Sequence, residues 1–161
     1  IKKESGETME KGIILGNRIL DVVFIAWFIA QFYKVATTIF IDRKLNMKRI
    51  FETGGMPSSH SSTMASLSTA IGLAHGTQSS IFAISFVLAG VVMYDAAGIR
   101  RAAGKHAGLL NTLLDRFAAK VGEKLHDEKL KELLGHSPLE VLVGAILGVV
   151  VAFVFKGYIQ A

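Results

Sequence analysis

Four long apolar segments are the feature that most limits what this chain can fold into. They run from about Ile19 to Ile41, Pro57 to Ala74, Ser80 to Ile99 and Pro138 to Phe155. A helix of roughly 20 residues crosses a bilayer, and these segments approach or exceed that length. The sequence is 51% hydrophobic with a mean hydropathy of +0.44, too apolar for an ordinary soluble domain of this size. We therefore predict an all-α integral membrane bundle of about four transmembrane helices.

The segment from about 101 to 135 has a different pattern. Apolar residues recur in it every three or four positions with charges between them, namely Leu110, Leu114, Phe117, Val121 and Leu125. This spacing predicts an amphipathic helix on the membrane surface or on the bundle. The polar residues 1–11 are expected to be a disordered lead or an expression remnant, and residues 12–161 a single membrane domain.

Net charge and cysteine content limit the classes of partner and of covalent or metal site that the chain can have. The chain has no cysteine, so it offers neither a disulfide framework nor a thiolate metal site. A net charge of +5 suits anionic lipid or phosphate. The basic residues are divided among loops between apolar runs, which argues against nucleic acid. We expect a bilayer and a phosphorylated lipid as partners and no cofactor or metal; a homo-oligomer is left open.

The stretch Gly54–Ser62 ends a basic loop and begins the second apolar segment. Its sequence predicts a helix start with Pro57 near the first helical position, where the missing N–H costs nothing. The N–H groups of Ser58, Ser59 and His60 would then point towards the loop and favour an anion. The alternative is a helix start crowded with capping residues and an incidental histidine.

Alternation of the four spans places the chemically active side chains on one membrane face. These are Lys34, His60, Arg100, Arg101, His136 and Glu140. Helix N-termini and basic side chains can hold the oxygens of a phosphoryl group, one histidine can attack phosphorus and another can protonate the leaving oxygen. A carboxylate four residues after His136 could hold its imidazole in the correct tautomer.

Each of these residues also has a simpler interpretation. Glu140 completes the S-x-x-E form of a capping box with Ser137 and could serve only as a cap. Lys34 could be a snorkelling lysine, Arg49 a loop charge, and Arg100 or Arg101 a positive-inside anchor.

The motifs as a set resemble a known family. Pro57–His60 reads P-S-S-H and resembles the P-S-G-H motif of the type 2 phosphatidic acid phosphatase superfamily, which includes the vanadium haloperoxidases. Gly135–Gly144 resembles its last motif, a histidine followed four residues later by a carboxylate. Together with Tyr94–Lys105, these motifs are most similar to a small divergent bacterial and plastid branch. The resemblance covers about residues 15–155.

The resemblance implies metal-independent hydrolysis of a phosphomonoester or diphosphate through a phosphohistidine. By motif position, His136 matches the nucleophile, Glu140 its orienting carboxylate and His60 the general acid. The phosphate-binding positions fall on Lys34, Arg49, Ser58, Ser59, Arg100 and Arg101.

We therefore expect a membrane lipid-phosphate phosphatase acting on a lipid phosphomonoester or a prenyl diphosphate. The alternative from another class is a non-hydrolytic binder or transporter of phosphorylated lipid that retains the pocket. Haloperoxidase chemistry is disfavoured for a small membrane protein. The basic loops of the active face favour the cytoplasmic side of a bacterial inner membrane.

Overall fold

The computed structural model describes residues 11–42, 55–122, 129–132 and 134–161, and these residues form an all-α membrane bundle. The helices, in chain order, are α1 (Arg18–Asp42), α2 (Ser59–His75), α3 (Ser80–Ala97), α4 (Ile99–Val121), α5 (Pro138–Val154) and α6 (Lys156–Gln160). The predicted lead, residues 1–11, lies outside these ranges except for Lys11.

Helix length and hydropathy agree with a membrane protein. Two stretches, Arg18–Thr37 and Ser80–Val121, are long and apolar enough to cross a bilayer, and α5 is a shorter apolar helix. The second stretch joins α3 to α4, which are separated at Gly98. Since many large apolar side chains on α1, α3 and α5 are exposed, lipid is their natural surrounding.

The predicted amphipathic helix is shorter than its pattern indicated. It begins at Ile99 and ends at Val121, because Gly122 adopts a left-handed conformation with φ of 77° and caps the helix through its N–H to Ala118. Residues 129–132 are not helical. Most of the large apolar side chains of α4, Leu109 and Leu113 among them, are exposed, as a helix lying on a membrane surface requires.

Helix α2 is central and packs against α1, α3 and α5 through small residues. Its contact with α5 is backbone to backbone: an added Cβ at Gly144 would clash with the carbonyl of Ser58, and one at Gly148 with that of Ser62. Gly144 and Gly148, four residues apart in sequence, therefore form the small-residue face through which α5 contacts α2.

Serine hydroxyls join α2 to its other neighbours. Ser62 Oγ donates to the carbonyl of Ala26 on α1 at 3.1 Å, and Ser85 of α3 meets Ser68 at 3.5 Å. Such bonds suit a bilayer, where small polar residues allow close approach and link helices.

A buried carboxylate links helix ends on the membrane face opposite the predicted site. Asp21, 1% exposed, accepts hydrogen bonds from the Tyr158 hydroxyl at 2.5 Å and from the N–H of Leu15 at 2.6 Å. The segment before α1 is thereby tied to α6. Asp21 is thus part of the packing and lies far along α1 from Lys34.

We expect Gly148→Ala to destabilise the protein by about 1–3 kcal/mol, the usual cost of overpacking, because its methyl group would force α2 and α5 apart. Gly90→Ala in α3 is the matched control, since an added Cβ there meets nothing within 4 Å. Thermal unfolding in detergent measures both. Equal Tm values for the two variants would contradict the proposed role of the α2–α5 contact.

Candidate active site

His136 and Glu140 pair at the start of α5. His136 Nδ1 lies 3.1 Å from Glu140 Oε2, and the same oxygen accepts the N–H of Ser137 at 3.1 Å. Ser137 Oγ in turn accepts the N–H of Glu140 at 3.3 Å, completing a capping box. Glu140 therefore caps the helix and holds the imidazole at once, so the two interpretations of this residue are compatible.

The reason for this contact differs from the expected one. His136 precedes α5, which begins at Pro138 with Ser137 as its N-cap, so the pair does not share a helical face. The Glu140 carboxylate points back towards the N-terminus of α5 to cap it, and in that orientation it also contacts Nδ1 of His136. The backbone of His136 is held separately, since its N–H donates to the carbonyl of Ala96 at 2.9 Å.

The start of α2 lies two residues later than predicted. Ser58 is the N-cap, and Pro57 precedes the helix after a cis peptide bond. The Ser58 N–H donates to the carbonyl of Glu140 at 3.0 Å, and its Oγ accepts from the N–H of Ser61. The Ser58 N–H and Oγ thus take part in hydrogen bonds of the fold, and the assignment of Ser58 as a phosphate-binding residue stays a prediction.

His60 stands one residue inside α2 and faces His136. The two ring centroids are 6.0 Å apart with an interplanar angle of 61°. The N–H groups of Ser59 and His60 belong to the first helical turn, whose donors have no intrahelical acceptor. Two helix N-termini therefore meet with a histidine at each.

Lys34 enters the site from α1. Every fourth residue along one face of that helix is buried, namely Val22, Ala26, Ala30 and Lys34. Lys34 is only 5% exposed, and its Nζ donates to Ser59 Oγ at 3.4 Å. A lysine at the surface end of a span could extend into water, but this one turns into the bundle.

Arg100 supplies a second cation from the start of α4. Its Nε lies 2.6 Å from Asp95 Oδ2, so the two residues form an ion pair. The charge of Arg100 also acts on His60. Arg101 differs: its backbone packs against Gly135, and its side chain is exposed.

Two ring nitrogens in this site are buried without a hydrogen bond of good geometry. They are His60 Nδ1 and His136 Nε2. The Gly55 backbone is close enough to act on the charge of the His136 imidazole. Since buried polar atoms without a partner are rare, the lack of one among the described residues makes these nitrogens candidates for ligand binding.

Burial lowers the pKa of His136 below its ordinary value of 6.5; the hydrogen bond that His136 Nδ1–H donates to Glu140 opposes this shift, and the charge of Lys34 adds to it. The imidazole is therefore neutral at pH 7. With Nδ1–H directed at Glu140, the lone pair is on Nε2. Because the folded-state pKa is depressed, the stability from this neutral form is present above pH 6.5 and lost as the pH falls.

The structure brings together six of the predicted residues: Lys34, Ser59, His60, Arg100, His136 and Glu140. Arg49 lies outside the described residues. Sequence reasoning missed Ala96, because a backbone acceptor leaves no signal in side-chain identity. In the described ranges, no group of three or more His, Cys, Asp or Glu residues is placed to hold a metal ion.

The chain is an all-α membrane bundle with a histidine at each of two facing helix ends. The family comparison agrees with the resemblance that the motifs predicted. The chain belongs to the Divergent PAP2 family, whose profile matches residues 15–151. It is 43% identical over 134 residues to the uncharacterized membrane protein YuiD of Bacillus subtilis (strain 168), a match that covers 78% of this chain and 85% of that protein. No solved structure matches the chain.

The two charges beside His136 predict opposite shifts of its pKa. Glu140→Gln keeps the capping geometry but removes the charge that favours imidazolium, so the pKa falls further; Lys34→Met removes a repelling cation, so it rises. Histidine-selective NMR titration measures both, with the resonance assigned by its loss in His136→Gln. Asp115→Asn, in an exposed ion pair with Lys129, is the control. Shifts of the same sign in both variants would contradict this electrostatic arrangement.

Proposed function

We propose that this protein is a membrane lipid-phosphate phosphatase that works through a phosphohistidine on His136. The observation that carries the proposal is the His136 imidazole, held at Nδ1 by Glu140, with no hydrogen bond of good geometry to Nε2 among the described residues and its ring 6.0 Å from that of His60. One bound phosphoryl group can contact both rings at that separation. Membership of the Divergent PAP2 family supports the same chemistry.

The reaction has two displacements at phosphorus. In the first, Nε2 of His136 forms a bond to phosphorus while the bond to the leaving oxygen breaks, and His60 donates a proton to that oxygen. Glu140 stabilises the positive charge that develops on the imidazole. In the second, His60 takes a proton from water, the water oxygen bonds to phosphorus and the N–P bond breaks, which releases inorganic phosphate.

Charge on the phosphoryl oxygens is met by cations from two other helices. Lys34 comes from α1 and Arg100 from α4, and the first-turn N–H groups of α2 add partial positive charge. Donors fixed before the reaction stabilise the transition state without reorganisation. These side-chain and backbone donors stabilise the negative charge on the phosphoryl oxygens, as a metal ion would.

The site lies at the ends of membrane helices, and that position suits a lipid substrate. The acyl or prenyl tail stays in the bilayer while the phosphate meets the polar face. Lipid phosphomonoesters and prenyl diphosphates share this arrangement, so a panel of both, assayed with and without chelator, identifies the preferred class.

We expect His136→Ala to lower phosphate release by roughly 10³-fold or more, as loss of a covalent nucleophile does. His60→Ala is expected to cost about 10²–10⁴-fold with a lipid alkoxide leaving group and much less with p-nitrophenol, which needs no proton. His106→Ala on the exposed face of α4 is the matched control. If the wild type bound phosphate but released none from any substrate, the phosphatase proposal would be wrong and the protein would be a binder of lipid phosphates.

We also propose that the site faces the cytoplasm in the inner membrane of a bacterium. The site face carries the basic residues of α4, and cytoplasmic loops carry such an excess. The opposite face has fewer, Arg18 and Lys156 among them.

Orientation is tested with single cysteines, because the chain has none. We expect a membrane-impermeant maleimide added to intact cells to label Gln78→Cys, at the exposed α2–α3 turn, but not Lys129→Cys, which is exposed on the site side. Both must be labelled after the cells are broken. The reverse pattern in intact cells would place the site outside.

A further inference from the structure

The segment that leads into His136 is bound along one side of α4. This connecting segment comprises residues 129–132 and 134–135, and its central contact is Asn111, which is 5% exposed. The Asn111 amide donates to the carbonyl of Leu130 at 2.9 Å and to Glu132 Oε1 at 2.8 Å. Its Oδ1 accepts the N–H of Leu130 at 3.0 Å. One side chain thus binds both backbone groups of Leu130, as a neighbouring strand would.

The face of α4 around Asn111 is small enough to admit this segment. An added Cβ at Gly104 would lie 2.5 Å from the carbonyl oxygen of Glu132, and one at Gly108 would lie 3.5 Å from the Glu132 side chain. Ala107 between them is buried. A larger residue at these positions would push the segment away from the helix.

The end of the segment is fixed just before His136. Gly135 has φ of +81°, a conformation that favours glycine, and an added Cβ there would clash with the backbone of Arg101. His136 N–H then donates to the carbonyl of Ala96. The backbone that carries His136 is therefore docked on α3 and α4 before α5 begins.

We propose that Asn111 is a positioning residue for His136: it fixes the register of the connecting segment on α4 and so the place of the imidazole in the site. This rests on the proposed function only for its effect on turnover. A slip of one residue in an extended segment moves the chain by roughly 3.3 Å, far more than a nucleophile tolerates.

The other link between the segment and α4 is weaker. Lys129 Nζ lies 2.9 Å from Asp115 Oδ2, but the two side chains are 72% and 63% exposed. Exposed ion pairs of this kind contribute little to stability. Asn111 is buried and makes three hydrogen bonds, so the register depends on it, and Asp115→Asn is a matched control on the same helix.

If Asn111 acts by positioning His136, its substitution changes turnover and leaves phosphate affinity nearly unchanged. Two of the groups that would hold the phosphate, Lys34 and Ser59, lie on α1 and α2, away from the connecting segment, while the backbone of the third, Arg100, lies next to Gly135. Displacement of His136 therefore lowers kcat while KM and the inhibition constant of inorganic phosphate change little.

The test is a double-mutant cycle between Asn111 and Glu132. Asn111→Asp sets two carboxylates against each other and removes the donor to Leu130, so we expect kcat to fall on the order of 10²-fold. Glu132→Gln keeps an acceptor oxygen and should stay near wild type. The double variant still lacks the donor to the Leu130 carbonyl, but it restores an amide–carboxylate pair with the wild-type net charge and keeps an acceptor for the Leu130 N–H, so we expect it to recover most of the lost kcat.

A second readout follows His136 itself. In N111D the imidazole loses burial, so its pKa rises towards the ordinary value in an NMR titration; in the double variant and in D115N it stays at the wild-type position. If N111D does not accumulate as folded protein, Asn111→Ala is compared with D115N in both measurements.

The outcomes separate the two proposals. Absence of phosphate release by the wild type overturns the proposed function, and the titration of His136 still tests the role of Asn111. A kcat and a His136 pKa that are unchanged in N111D overturn the positioning role while leaving the phosphatase intact. A loss in N111D that E132Q does not relieve, or that appears as KM alone, also overturns it.

Discussion

The site depends on the close contact between α2 and α5, in which Gly144 and Gly148 allow the backbones of two helices to touch. A bilayer offers little hydrophobic gain for helix association, so shape and hydrogen bonds must hold the pair. The N–H of Ser58 donates to the carbonyl of Glu140 at the end of this contact. The separation of His60 and His136 is therefore set by backbone geometry, with no long side chain between the two helices.

Glu140 connects folding to chemistry at the same point. Its carboxylate accepts from the Ser137 backbone and meets Nδ1 of His136, so the interaction that begins α5 also selects the tautomer of the imidazole. Lys34 and Arg100 reach the site from helices that pack on other sides of the bundle. The groups proposed to face the phosphate thus come from four helices, and each is placed by packing that serves the fold.

Much of this arrangement was predictable from sequence. Apolar segment lengths predict the helices, alternation predicts that Lys34, His60 and His136 share a face, and spacing predicts the glycine contact. What patterns miss is decided by backbone detail. The start of α2 depends on Ser58 as a cap, and the end of α4 depends on the left-handed Gly122. Asn111 reads as an ordinary polar residue of an amphipathic helix, because its partners, 19 and 21 residues away in sequence, follow no periodic pattern.

The glycine contact has a consequence for how such a sequence can change over time. Most of the large apolar side chains of α3 and α5 are exposed and lie outside the helix contacts. They can be exchanged for one another as lipid composition or bilayer thickness varies between organisms. The small residues at the helix contacts cannot be exchanged for larger ones, because the space next to them is occupied by the backbone of the neighbouring helix. Lineages can therefore diverge widely on the lipid-facing surface while the reactive groups keep their places.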